Sequence, residues 1–179
     1  EYSHQTMKKL RERLDEIRLD PAAPQILSDL YDSEINYTDD HIRQLAEALP
    51  DPGNTLIIVT SDHGEEFLER GEIGHGSSLY QEQIRVPLIA VPPGGMAAAV
   101  IEEPVSIVDI FPAVCAAAGV PAPPGLQGRP LPVLAGSGDA PERAVFAELS
   151  RARAARQQEA IRRGEWKFLR RGGRGIGRR

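Results

Sequence analysis

The segment Thr55–Gly76, TLIIVTSDHGEEFLERGEIGHG, decides how the chain is read. Its first part, Thr55 to Thr60, is a short continuous run of aliphatic and β-branched residues. That is the pattern of a strand buried on both faces in a parallel sheet. Directly behind it stand Asp62, His63 and Gly64, and a little further His75 between Gly74 and Gly76. Two of the four histidines in the chain thus fall in one loop at the carboxyl end of a strand, where open α/β sheets bind their ligands.

Successive strand residues point to opposite faces, so Asp62 and His63 can serve one site only if the backbone turns sharply there. Gly64 is the residue that would permit the turn. A carboxylate oxygen beside an imidazole nitrogen is a competent half of a divalent-cation site. The alternative is that Asp62 caps a helix beginning near Glu65 and that His63 is merely exposed. The glycines around His75 let a loop bring its imidazole against a bound ligand. There it could hold an anionic oxygen or protonate a leaving group.

Helical spacing flanks the segment. Residues 5–18 place Met7, Leu10, Leu14 and Ile17 on a narrow stripe. A second helix is expected from about Gln25 to Leu49, with Leu30, Ile35, Thr38, Ile42, Leu45 and Leu49 on one face, ended by Pro50-Asp51-Pro52-Gly53. Inside it Asp39-Asp40-His41 resembles a ligand cluster. Adjacent helical residues point about 100° apart, so a solvated face with an Asp39–Arg43 pair is the expectation. A second strand is expected at 85–91, and a helix from about Asp109 to Ala118, with Asp109 near its cap and Pro112 in its first turn. Helix, strand, loop, strand and helix in this order give an α/β sandwich. The Pro- and Gly-rich residues 120–142 read as a crossing segment. AVFAELS, then AIRR and WKFLRR around Gly164-Glu165, read as a small antiparallel sheet, and GGRGIGRR as a disordered end.

Composition is that of an ordinary globular chain: 179 residues, 41% hydrophobic and 26% charged, with net charge −5. The charge is uneven, since 12 Lys and Arg stand against 3 Glu from Arg143 onward. Those basic residues are not interleaved with aromatics as single-strand binding requires, so they read as a solvated sheet face, and no nucleic-acid partner is expected. The lone Cys115 among alanines reads as a small buried hydrophobe. No run approaches the ~20 apolar residues that span a bilayer. A start at Glu1 inside a polar stretch leads us to expect a piece of something longer.

SDHGEEFLERGEIGHGSSLYQEQIRVPLIAVPPG, preceded by LYDSEINYTDDHIRQLAEAL and followed by VSIVDIFPAVCAAAGVPAPPGLQGRPL, resembles the sulfatases of the alkaline phosphatase superfamily over about residues 26–135. The resemblance implies the C-terminal part of an alkaline-phosphatase-like α/β/α sandwich at 1–136 and the start of a small C-terminal subdomain at 137–179. It implies a metal-dependent sulfuric ester hydrolase acting on a small-molecule or glycan sulfate ester. One divalent cation is implied, calcium before magnesium or manganese, with Asp62 and His63 as two of its four ligands and His75 contacting the transferred group. Many sulfatases carry Asn where His63 stands, and His there also occurs in related phosphate and phosphonate hydrolases. The family's nucleophile motif, CxPxR, has no counterpart in this sequence, nor does its early pair of aspartates, and Cys115 lies in the wrong context. These residues alone are therefore expected to be inactive. The rival readings are a phosphodiester or phosphonate monoester hydrolase, or a phosphoryl-type transferase, on the same scaffold, and a noncatalytic binding module. Compartment and oligomeric state are left open, with export, a periplasmic location or a membrane anchor conceivable only by analogy with relatives.

Overall fold

A computed structural model describes residues 6, 8–9, 12–135, 143–150, 157–172 and 174–178. Two compact units divide the chain, residues 1–52 with 61–87, and residues 53–60 with 88–179.

In the first unit, helix α1 (Leu14–Arg18) is followed by α2 (Ala23–Glu47). Pro24 sits at the start of α2, where a missing N–H costs nothing, and no glycine interrupts the helix. Its ends fall two residues before the expected ones. Ala23 and Leu27 are buried, and Tyr31 meets Phe67 edge to face at 5.1 Å. Of the apolar stripe expected on one face, Leu30, Ile35 and Leu45 are all more than half exposed, and Ile42 and Leu49 are half-buried. Periodicity identifies the face that prefers burial and not what covers it. Arg43 pairs with Asp40 and Glu47 at 3.3 and 3.2 Å rather than with Asp39. His41 Nδ1 lies 2.8 Å from the Tyr37 carbonyl, so the Asp-Asp-His triplet is a solvated face as expected. Met7 and Leu10 lie outside the described residues.

The remainder of this unit is a hairpin and a short helix. Strands β2 (Glu66–Phe67) and β3 (Ile73–Gly74) pair antiparallel, and α3 (Gln81–Ile84) follows. The alternative of a helix beginning near Glu65 is thus not what forms, since a strand follows at Glu66–Phe67. Arg18 ties α1 to the hairpin loop, donating from Nε to the Gly71 carbonyl at 2.6 Å and pairing with Glu72 at 3.3 Å. Ile73 and Leu79 are buried beneath it.

In the second unit, β1 (Ile57–Thr60) pairs with β4 (Leu88–Val91), Ile57 opposite Val91 and Thr60 opposite Leu88. The pairing is antiparallel, whereas the continuous apolar run pointed to a parallel ladder. The burial differs too: no residue of β1 or β4 is buried, and Thr60, Ile89 and Val91 are exposed, so the apolar run marks a strand without fixing its cover or its direction. Helix α4 (Ile110–Ala117) is entered through a 3-10 turn at Ile107–Asp109. Ser106 and Asp109 form a reciprocal capping box, placing the cap three residues before Asp109. Cys115 is buried on α4, as expected. After α5 (Pro132–Ala135), the strands β5 (Ala144–Leu149), β6 (Gln158–Arg163), β7 (Trp166–Arg171) and β8 (Arg174–Arg178) form one antiparallel sheet in chain order. The hairpin at Gly164-Glu165 is as read. Residues 174–178 pair with β7, so the end expected to be disordered completes the sheet. The expected boundary at 136/137 lies at the edge of the described residues. Ala160 faces Leu169 across the ladder, and both are buried. No helix of the described residues is long and apolar enough to cross a membrane.

Asp109 is the most committed charge of this unit. It is 1% exposed, accepts from the Ser106 and Arg129 amides at 2.8 and 2.9 Å, and pairs with the Arg143 guanidinium. Removing one partner of a buried ion pair strands the other. We expect Asp109→Ala to lower unfolding free energy by about 3 kcal/mol. Urea denaturation followed through the single tryptophan, Trp166 of the same unit, measures this; a loss below about 1 kcal/mol would refute the role.

Candidate functional site

The site is built on residues 61–87, all of the first unit. Ser61 Oγ donates to the His63 carbonyl at 2.8 Å, and the His63 N–H donates to Asp62 Oδ1 at 3.0 Å. The Ser61 bond spans Asp62 and brings the chain back on itself there, so the alternation that would separate Asp62 and His63 is broken. Asp62 Oδ1 and His63 Nε2 lie 3.6 Å apart, and the Asp62 side chain is 86% exposed. Two donors each about 2.0–2.4 Å from one ion stand at about this separation, so the pair fits a shared divalent cation.

Gly64 is required for a reason other than torsional freedom. Its N–H donates to the Gln83 carbonyl at 2.9 Å, and a Cβ on it would lie 2.2 Å from the Glu82 carbonyl oxygen. The turn is pressed against α3, and only a residue without a side chain permits that approach.

His75 reaches the same place from the hairpin. Gly74 and Gly76, with φ of 96° and 71°, carry the chain through left-handed conformations on either side of it. The His75 ring stacks on the His63 ring, with centroids 3.5 Å apart and planes at 25°. All three residues singled out in the sequence, Asp62, His63 and His75, are thus brought together. The sequence reading missed a fourth, Glu65, whose Oε2 lies 3.0 Å from His75 Nδ1. Glu66 opposes Gly74 in the β2–β3 ladder, so the register carried one residue further sets Glu65 opposite His75. That signal needed the hairpin, and two-residue strands leave no periodicity to read.

The hairpin is held from beneath by buried polar groups. Glu66, 1% exposed, accepts the Arg70 and Glu72 amides through Oε1 at 3.1 and 3.2 Å, and Gln83 Nε2 through Oε2 at 2.8 Å. Gln83, 3% exposed, accepts the Ser77 and Ser78 amides through Oε1 at 3.0 and 3.1 Å. Both ends of the His75 loop are therefore bonded to one Glu–Gln pair. Arg70 completes the frame, lying 4.2 Å over the Tyr80 ring and 3.2 Å from Glu82.

An α/β chain that turns Asp-His-Gly out of a strand and sets a glycine-flanked histidine against that pair has the arrangement of the alkaline-phosphatase-like hydrolases. The sulfatase family profile matches residues 7–120, and the chain belongs to the sulfatase family. It is 32% identical to Arylsulfatase K of Mus musculus over 123 residues, covering 64% of this chain and 22% of the relative. To Arylsulfatase K of Danio rerio it is 31% identical over 140 residues, covering 74% and 27%. The chain thus spans roughly a quarter of these relatives' length. Among solved structures it is similar to one in complex with its substrate D-glucosamine-2-N,6-O-disulfate, at 27% identity and a TM-score of 0.56, covering 73% of this chain and 28% of that one. A phosphonate monoester hydrolase from Silicibacter pomeroyi shares the fold at 24% identity and a TM-score of 0.63, covering 82% and 31%. Sulfatases generally use a divalent metal, and the site described above has donors for one.

The close approach at Gly64 is directly testable. In Gly64→Ala the added methyl must push the turn off α3, and we expect a loss of about 1–3 kcal/mol in stability with at least about a tenfold loss in divalent-cation affinity. Thermal melting and calorimetric titration of the same protein measure the two. Unchanged values for both would show that the turn is not fixed by this contact.

Proposed function

We propose that this chain forms part of a sulfuric ester hydrolase and supplies half of its cation shell and one contact to the transferred group. The observation that carries the reading is the 3.6 Å separation of Asp62 Oδ1 and His63 Nε2, with His75 stacked on His63. Asp62 would balance and position the ion, and His63 would complete its shell through an imidazole nitrogen. Calcium is the ion we favour, as the resemblance to the sulfatases implies, ahead of magnesium or manganese. When bound, it would offset the charge of an anionic ester at the reaction centre. His75, on its glycine-flanked turn, would hold a sulfuryl oxygen or assist the leaving oxygen. The relatives named Arylsulfatase K and the structure bound to a sulfated glucosamine support a sulfate monoester, aryl or glycan, as substrate.

Since no CxPxR motif occurs among the 179 residues, the nucleophile must come from polypeptide other than these. A phosphonate or phosphate ester is the second reading, favoured by His63 in place of asparagine and by the fold shared with the phosphonate monoester hydrolase. A polypeptide joining these residues to the nucleophile-bearing part of the fold should hydrolyse an aryl sulfate in preference to aryl phosphate or phosphonate. Asp62→Ala and His75→Ala should each lower its kcat by about 10²–10³. Full activity in Asp62→Ala would remove the cation role from this loop, and a preference for phosphonate would select the second reading.

A further inference from the structure

We infer that the outer half of α2 is the docking surface for the nucleophile-bearing part of the fold, and that this contact sets that part against the Asp62–His75 loop. The inference rests on the proposed hydrolase reading, which requires such a part.

Helix α2 is one continuous element whose apolar side is used in two ways. At about 100° per residue, Ala23, Leu27, Tyr31, Ile35, Ile42 and Leu45 fall within about 120° of one another. The first three are taken up inside the unit. Ala23 and Leu27 are buried, and Tyr31 meets the Phe67 ring of β2. From Tyr31 to Leu45 the same side runs on for about 21 Å, with Ile35 52% and Leu45 69% exposed. Leu30 and Tyr37, also more than half exposed, widen it along one flank. An apolar stripe this wide on a helix of a folded protein marks a packing surface.

Three observations say what packs there. First, the open stripe continues the site's own support. The Tyr31–Phe67 contact fixes α2 against β2, and β2 pairs with β3, the strand that leads into His75. A body seated on the rest of the stripe is thereby held at a set distance from the loop. Second, α2 lies within the residues that the sulfatase family profile matches, so it belongs to the shared fold. In the curated relatives, of which the chain spans about a quarter, most of that fold is made by other residues. Third, charge counts against a second copy as the occupant. α2 carries six carboxylates and one base, Arg43. Two copies joined through α2 would set these acids against each other, whereas a partner with a neutral or basic rim would not.

Hydrogen exchange tests the contact in the 179-residue chain and in the polypeptide that joins it to the nucleophile-bearing part. We expect the amides of 35–47 to exchange at least about tenfold more slowly in the joined form. Ile35→Asp and Leu45→Asp should each lower the Tm of the joined form by about 4 °C or more and that of the shorter chain by less than about 1 °C. Leu45→Asp should also reduce aryl sulfate hydrolysis by at least about tenfold, although Leu45 stands about 21 Å along the helix from Tyr31. Asn36→Asp adds the same charge on the opposite, exposed side of α2 and should change neither. The shorter chain should sediment as a monomer. Exchange unchanged on joining overturns the inference, as does an equal Tm loss in both forms. A dimer of the shorter chain that Leu45→Asp dissociates overturns it too, by giving the face to a second copy. Should Leu45→Asp keep the joined form from folding, the exchange of the unsubstituted protein decides. Slowed exchange without hydrolysis of any ester counts against the hydrolase reading only, and hydrolysis with unchanged exchange counts against the docking surface only.

Discussion

Glu66 is a carboxylate almost wholly removed from water, with both oxygens occupied by hydrogen bonds from Arg70, Glu72 and Gln83. A charge in that position is tolerable only while every one of those donors stays in place, because each replaces water it has lost. The constraint is therefore mutual. The hairpin loop must keep its shape to satisfy Glu66, and Glu66 must stay in place to keep the loop. Gln83 extends the same dependence to the Ser77 and Ser78 amides, just beyond His75. The side chains with chemistry, at positions 62, 63, 65 and 75, are exposed or half-buried, and they owe their proximity to partners that never meet a ligand.

Much of the site was legible because its residues break local rules. An Asp-His pair directly behind a β-branched run, and a histidine between two glycines, have no packing purpose, and both proved to lie together. Glu65 was hidden for the opposite reason. It sits in a run of acids that suits a first helical turn, and its partner lies ten residues away across strands too short to show a period. The antiparallel pairing of β1 with β4 was unreadable because a short apolar, β-branched run looks alike whichever way the neighbour runs and however much of it is covered. The hairpin at Gly164 was plain from its turn chemistry. The strand at 174–178, rich in glycine and arginine, was not, since backbone pairing with β7 leaves no signature in the sequence. The stripe on α2 was legible as a pattern, while the exposure of Leu30, Ile35 and Leu45 was not. Helical periodicity says which side seeks cover and cannot say what supplies it.

His63 is the residue on which the chemistry of the site turns. Its Nδ1 lies 3.0 Å from the Gly64 carbonyl, which orients the ring and turns Nε2 toward Asp62. Orientation of a ligating imidazole through its other nitrogen is how proteins fix which ring atom meets a metal. One face of the same ring carries His75. An asparagine at this position could supply an oxygen to a cation, but it would offer no aromatic face for the second histidine. The choice of histidine thus joins Asp62 on one side of the loop to His75 on the other through a single planar group.

The ladder between β1 and β4 ends with Thr60 opposite Leu88, so the excursion from 61 to 87 leaves and re-enters the sheet at one rung. Its two stems are held a strand spacing apart by main-chain bonds alone. The pinched base fixes only where the excursion starts and stops; its interior owes its shape to partners outside the ladder, Arg18 at Gly71 and Glu72 and Tyr31 at Phe67, so the segment could be moved to another scaffold only together with the helices that hold it.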